Sequence, residues 1–195
     1  MCGTMRSYLW IGVCLLTCPV SFGQSLSIGG IGGGTATNDL SNQWVTDVSA
    51  RYMIGPTLDI GLPFGLGFEA DALYRHETYQ ATFIPVPQQH VTSWEFPLLL
   101  RKTLPFPLIK PFVEGGYAPR ALQGGSLMSP YPSASHGIVI GGGVGLGIGR
   151  LRLSPVLRYT HWNNSPAVLI YSDGPTISLT QNQVDLLLGV SWRIR

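Results

Sequence analysis

Asn182-Gln183-Val184-Asp185-Leu186-Leu187-Leu188-Gly189-Val190-Ser191-Trp192-Arg193-Ile194 is the stretch that decides the fold. Sorted at period two, Val184, Leu186, Leu188, Val190, Trp192 and Ile194 share one face, while Asp185, Leu187, Gly189, Ser191 and Arg193 share the other. One face is apolar and the other mostly small or charged, as in a strand that separates two unlike media.

The same alternation sorts Leu151 to Thr160, Phe64 to Arg75 and Trp94 to Arg101. Weaker versions run over Leu26 to Gly34, Tyr52 to Leu62, Lys110 to Ala118 and Gly137 to Ile148, giving eight strands. Helices are disfavoured, because 25 Gly and 15 Pro are spread over 195 residues. Only 11% of residues are charged, against about 25% in soluble domains.

Connections alternate in length. Long segments at 35–51, 79–91, 119–136 and 162–181 take turns with short ones at Pro63, 104–109 and Gly149-Arg150. An even-stranded barrel with both termini at one rim collects its long loops at the opposite rim. The expected fold is all-β: an eight-stranded antiparallel up-and-down transmembrane β-barrel.

The first residues read as a leader. Arg6 precedes an apolar run from Tyr8 to Val20, and Ser21 and Gly23 are small residues placed for cleavage, so residues 1–23 are expected to be a signal peptide and 24–195 the barrel domain. Cys2, Cys14 and Cys18 lie in that leader, and Thr17 stands where a lipoprotein cleavage site wants Gly, Ala or Ser. Metal thiolate sites and disulfides are therefore not expected in the exported chain. The chain's 12 basic and 10 acidic residues come within one of each other once Arg6 is lost, which argues against a nucleic-acid partner.

In a bilayer the apolar face must look outward, because hydrocarbon offers no hydrogen-bond partner. That sends Asp59, Glu69, Asp71, Glu95, Glu114 and Asp185 inward with Arg75, Arg101, Arg152, Arg158 and Arg193. An eight-stranded barrel is just wide enough for side chains to fill it, so an interior charge network and no porin-like conductance are expected. The inward glycines of the sixth strand leave room for the long side chains opposite. Tyr74, Trp94, Tyr159 and Trp162 are placed at the long-loop rim, and Phe64, Phe106 and Trp192 at the short-turn rim, as an aromatic belt.

From Ser25 to Arg195 the chain resembles the small outer-membrane β-barrel superfamily, which includes the OmpA transmembrane domain and the OmpX-like proteins. Trp94-Glu95-Phe96-Pro97-Leu98, Pro111-Phe112-Val113-Glu114 and Leu151-Arg152-Leu153-Ser154-Pro155 are similar to segments of outer membrane protein beta-barrel domains of Gram-negative bacteria. The resemblance implies export to the bacterial outer membrane, contact with its lipid and lipopolysaccharide, and the barrel assembly machinery as a partner. The assembly-signal strand is then Val184, Leu186, Leu188, Val190, Trp192 and Ile194, although the family commonly ends this strand in Phe and here Arg195 follows.

Arg158-Tyr159-Thr160-His161-Trp162-Asn163-Asn164 is similar to the His-x-Ser-Asn region of the lipid A 3-O-deacylases, which are barrel enzymes of the same membrane. His161 matches the base, but Asn163 stands at the nucleophile position, and an amide cannot attack an ester as a deprotonated nucleophile would. Ser165 is the substitute candidate. The orienting acid would have to be Asp173 or the inward-facing Asp185. A non-enzymatic barrel with surface-contact, adhesion or structural duties is the leading expectation, and a lipid A deacylase-like hydrolase the first alternative. A soluble periplasmic lipocalin-like barrel is the second; it would need its apolar face inside.

No cofactor and no metal are expected. His76, His90, His136 and His161 come from four separate strand ends without ligand spacing. The glycine runs 29–34 and 141–149 lack the Gly-Lys-Ser/Thr of a phosphate loop and open no helix.

Overall fold

In the computed structural model, residues 25–37, 45–47, 52–81, 89–106, 109–123, 134–163, 167–169, 176–178 and 182–194 are described. The expected leader, Ser165, Asp173 and Arg195 lie outside them, as does the side chain of His90.

Among the described residues thirteen strands follow in chain order: β1 (Ser25–Thr35), β2 (Val45–Asp47), β3 (Tyr52–Gly61), β4 (Leu66–Asp71), β5 (Leu73–Ala81), β6 (Gln89–Glu95), β7 (Leu98–Thr103), β8 (Lys110–Gln123), β9 (Ala134–Ile148), β10 (Leu151–Trp162), β11 (Ala167–Leu169), β12 (Thr176–Ser178) and β13 (Asn182–Arg193). Two pairs are single staves with a brief interruption. Across the first, Ala72 N–H donates to Pro56 O at 3.1 Å; across the second, Phe96 N–H donates to Pro119 O at 2.9 Å. Alternation passes through both breaks unchanged: Asp71 and Leu73 are buried, and so are Glu95 and Pro97. Eight staves therefore result: β1, β3, β4 with β5, β6 with β7, β8, β9, β10 and β13.

Every pairing is antiparallel, each stave pairs with the next in the chain, and β13 returns to β1 with Ser27 opposite Arg193 and Thr35 opposite Asp185. Closure leaves the staves without a free edge, which is what a sheet needs where no water can satisfy its backbone. The staves run to 15 residues in β9, longer than the ~9–11 that cross a bilayer.

At one rim two turns among the described residues are tight, between β3 and β4 and between β9 and β10. Between β3 and β4 the chain reverses through Pro63, Phe64 and Gly65, with left-handed φ of 63° at Phe64 and 72° at Gly65. Lys102 Nζ donates to the Phe64 carbonyl at 2.7 Å, and the Phe64 ring is 91% exposed.

The strands run further toward the other rim than the alternation of apolar residues does. β5 and β6 reach Ala81 and Gln89, β8 and β9 reach Gln123 and Ala134, and β2 adds to β5 with Val45 opposite Ala81. Residues expected as loop at 45–47, 79–81, 119–123, 134–136, 167–169 and 176–178 are strand. Of these, 167–169 and 176–178 pair with each other in a separate two-stranded sheet, and the others extend the barrel by backbone pairing where the period-two signal has faded.

Candidate functional site

The faces sort as the bilayer argument requires. Leu186, Leu188 and Val190 are exposed, with Leu186 at 61%, while Arg158 and Glu69 are 2% and 3% exposed. Ile54, Leu100, Val113, Ile140 and Leu157 join the exposed wall from other staves. This is the reverse of a lipocalin-type barrel, and that alternative fails on it.

Inside, charge is arranged in two closed rings. In the first, Arg158 gives Nη2 to Glu69 Oε1 and Nε to Glu114 Oε1, both at 2.6 Å. Arg101 Nη2 reaches Glu114 Oε2 at 3.0 Å and pairs with Glu69 Oε2. Two arginines and two glutamates thus alternate around a square, each carboxylate shared between both guanidinium groups. Arg158 Nη1 also holds Asp71 Oδ2 at 2.7 Å, and Arg101 Nη1 holds Asp59 Oδ2 at 2.6 Å.

The second ring lies toward the long loops. Arg75 joins Glu95 at 3.0 Å to Asp185 at 3.2 Å, and its Nη1 donates to Thr35 Oγ1. Gln183 Nε2 donates to Asp185 Oδ2 at 2.6 Å, and Gln183 Oε1 accepts the Trp162 indole N–H at 2.9 Å. The Arg120 guanidinium lies 3.7 Å from the Trp162 ring centroid and reaches back to Glu95 at 3.7 Å. Burying ions this deeply is costly unless each is paired and hydrogen-bonded. Among the described residues only Asp71 Oδ1 is a buried side-chain polar atom lacking a partner.

Glycines on β9 make the space. A Cβ at Gly141 would stand 3.1 Å from both Arg158 Cγ and Glu114 Cγ, one at Gly143 would meet Phe112 Cζ at 2.7 Å, and one at Gly145 would meet Arg152 Nε at 3.0 Å. Flat backbone on that stave is what lets the long side chains cross the lumen.

Nine of the eleven residues expected inside are buried in these rings: Asp59, Glu69, Asp71, Arg75, Glu95, Arg101, Glu114, Arg158 and Asp185. Arg152 is half-buried, pairs with Asp59 Oδ2 at 3.3 Å and stands at the short-turn mouth. Arg193 needs correction: it is exposed at that mouth and joins neither ring, because it is the last residue of β13 and the lumen opens there. Trp162 also needs correction. It is 1% exposed and lumenal, not part of the outer belt, since it shares its parity with Arg158 and Thr160.

Arg120 stands in β8, at a position the sequence marks as loop. Continuing the alternation Phe112, Glu114, Gly116, Ala118 by one more step finds it.

On the outer wall, Val184 is half-buried and Leu186, Leu188, Val190, Trp192 and Ile194 are exposed. Tyr74 packs edge-on to Trp94 at 5.4 Å. His161 is exposed, and its Nδ1 lies 2.8 Å from Asn182 Oδ1, which also accepts the Tyr159 hydroxyl at 2.8 Å. Its ring is thus oriented by an amide, whereas a charge-stabilising dyad would place a carboxylate there. His76 and His136 stand on other staves beside Tyr52 and Tyr117, and no group of three or more potential metal ligands occurs among the described residues.

No protein-family model and no curated protein sequence matches the chain. Solved structures do. Neisserial surface protein A (NspA) covers 87% of this chain and 98% of its own, with a TM-score of 0.58 and 10% identity. The outer membrane protein OprG from Pseudomonas aeruginosa covers 88% of this chain and 95% of its own, with a TM-score of 0.62 and 10% identity. The N-terminal β-barrel domain of Pseudomonas aeruginosa OprF covers 87% and 97%, with a TM-score of 0.50 and 14% identity. The architecture is that of the small eight-stranded outer-membrane barrels, and at these identities the likeness is one of fold.

Proposed function

We propose that the chain is a non-enzymatic barrel of the bacterial outer membrane, with its short turns toward the periplasm and its long loops outside. The observation that carries this reading is the opposite sorting of the two faces: an apolar wall with Leu186 at 61% exposure around a lumen where Arg158 is at 2%. Only hydrocarbon makes that wall favourable, at about 25 cal/mol per Å² of apolar area removed from water.

Both charge rings cross the lumen, so the barrel conducts no ions in the manner of a porin. Its partners are outer-membrane lipid and lipopolysaccharide along the wall and the barrel assembly machinery during insertion. Surface contact falls to the Ser-, Asn-, Gln- and Pro-rich long segments, since the lumen offers no route to a substrate. Support for the absence of hydrolysis is the amide partner of His161 and the Asn at position 163.

Cell fractionation with gel migration before and after boiling tests the reading. A heat-modifiable band in the outer-membrane fraction is expected; a water-soluble periplasmic product overturns it. Lipid A from expressing cells should keep all its acyl chains, and a missing chain restored by His161→Ala would establish the enzyme instead.

A further inference from the structure

The short-turn mouth of the lumen holds a cavity of about 190 Å³. Its charged lining is Asp59, Arg101, Lys110, Arg150, Arg152 and Arg193, five cations around one carboxylate. Asp59 is already taken: its Oδ2 accepts Arg101 at 2.6 Å and Arg152 at 3.3 Å. Arg101 is satisfied deeper in the ring by Glu69 and Glu114. Lys110, Arg150 and Arg193 are exposed and form no ion pair with any described carboxylate.

These cations converge instead of spreading over a convex surface. Arg193 lies opposite Ser27, which in turn lies opposite Asp59 on the next stave. Arg193 N–H donates to the Arg150 carbonyl at 2.9 Å, tying the end of β13 to the turn after β9. Arg152 is held against the wall, its guanidinium 5.7 Å from the Phe112 ring and its Nε in the space left by Gly145. Beyond it the space is open: a Cβ at Gly147 meets nothing within 4 Å. Like charges gathered in a low-dielectric concavity repel one another and focus a positive field on what enters.

We infer that this mouth is a binding site for a phosphoryl group, held by Arg150, Arg152 and Arg193 with Lys110 at its edge. The excess of positive charge favours a multiply charged anion over a single carboxylate. Guanidinium forks match phosphate oxygens in pairs, and the volume fits one headgroup or one free ion, being below the ~300–1,000 Å³ of drug-sized pockets. The site concerns the mouth of the barrel and holds whichever membrane carries it.

The test is titration of the folded barrel, in a phosphate-free non-ionic detergent, with inorganic phosphate, followed by amide chemical shifts of Ser27, Gly147 and Arg193. Saturable shifts confined to this rim, weakened by added sodium chloride, are expected. Arg150→Gln with Arg193→Gln should weaken binding by about tenfold or more, and acetate should bind more weakly than phosphate. Gly147→Leu keeps every charge and fills the cavity, so it should abolish binding while leaving the heat-modifiable band intact. Repeating the titration in bilayers with an anionic phospholipid assigns the source: competition identifies a lipid headgroup, and undiminished binding identifies the free ion. Shifts that do not saturate, or that survive both variants, overturn the site; loss of the heat-modifiable band in the unaltered chain would instead count against the barrel reading.

Discussion

Glu114 grips Arg158 through the shortest kind of ion pair, Oε1 to Nε at 2.6 Å, and spends its other oxygen on Arg101 at 3.0 Å. Removing its charge therefore takes one carboxylate from each of two buried guanidinium groups at once, leaving Arg158 with Glu69 and Asp71 and Arg101 with Glu69 and Asp59. Glu114→Gln should cost about 3–5 kcal/mol, the range for breaking a buried pair, read as an earlier midpoint in urea unfolding of the barrel in lipid vesicles.

Asp71→Asn should behave differently. Asp59, Glu69, Asp71 and Glu114 face only Arg101, Arg152 and Arg158 in this part of the lumen, and one oxygen of Asp71 has no partner. The amide keeps an acceptor for Arg158 and brings the charges level, so the cost should be about 1 kcal/mol or less. Both variants remove one negative charge, so an equal loss would show that the second guanidinium held by Glu114 adds nothing.

Gly143→Ala and Gly147→Ala form a second contrast. The new methyl at 143 drives into the Pro155 carbonyl oxygen and, at 2.7 Å, the Phe112 ring, whereas at 147 it meets nothing within 4 Å. Overpacking costs about 1–3 kcal/mol, so unfolding midpoints should fall for the first and stay put for the second.

Much of this was legible from period two. The eight staves, the outward wall from Leu186 to Trp192 and nine of the buried charges all follow from where apolar and polar residues alternate. What failed did so where that signal stops. Arg120 follows Ala118, where the apolar alternation of β8 ends, and the polar continuation of a strand looks the same as a loop. Trp162 reads as a belt aromatic by residue type, but its parity with Arg158 puts it in the lumen. Arg193 has the parity of a lumenal residue but stands where the cylinder ends, and alternation carries no information about depth. The rings themselves, Arg75 through Gln183 to Trp162, depend on which staves face each other across the lumen, which pairing along the chain leaves open.

Tryptophan fluorescence separates wall from lumen. Trp94 and Trp192 are exposed on the outside and Trp162 is buried within. In variants that lack Trp44 and keep one of the three as their single tryptophan after the leader, lipids brominated on the acyl chain should quench Trp94 and Trp192 and leave Trp162 bright. Quenching of Trp162 would place its indole outside, against Arg120.

Leu188→Arg puts a cation in the middle of β13, on the lipid face opposite Gly32 and Pro155. The expected cost is about 2–4 kcal/mol, as for charges near the bilayer midplane of other barrels, measured by the same unfolding titration. A neutral result would mean that water, not lipid, bathes that wall.

The square of Arg158, Glu69, Arg101 and Glu114 draws its corners from four different staves, with Arg158 and Glu69 separated by 89 positions in the chain. A flat, half-finished ribbon would hold Arg158 and Glu69, four staves apart, out of one another's reach, and hydrocarbon would reject the charged stripe it carried. The polypeptide must therefore curl before or while it enters the lipid. Zipping β1 to β13 then dries the interior in the same event, and the rings act as a latch that favours the shut cylinder over any opened one.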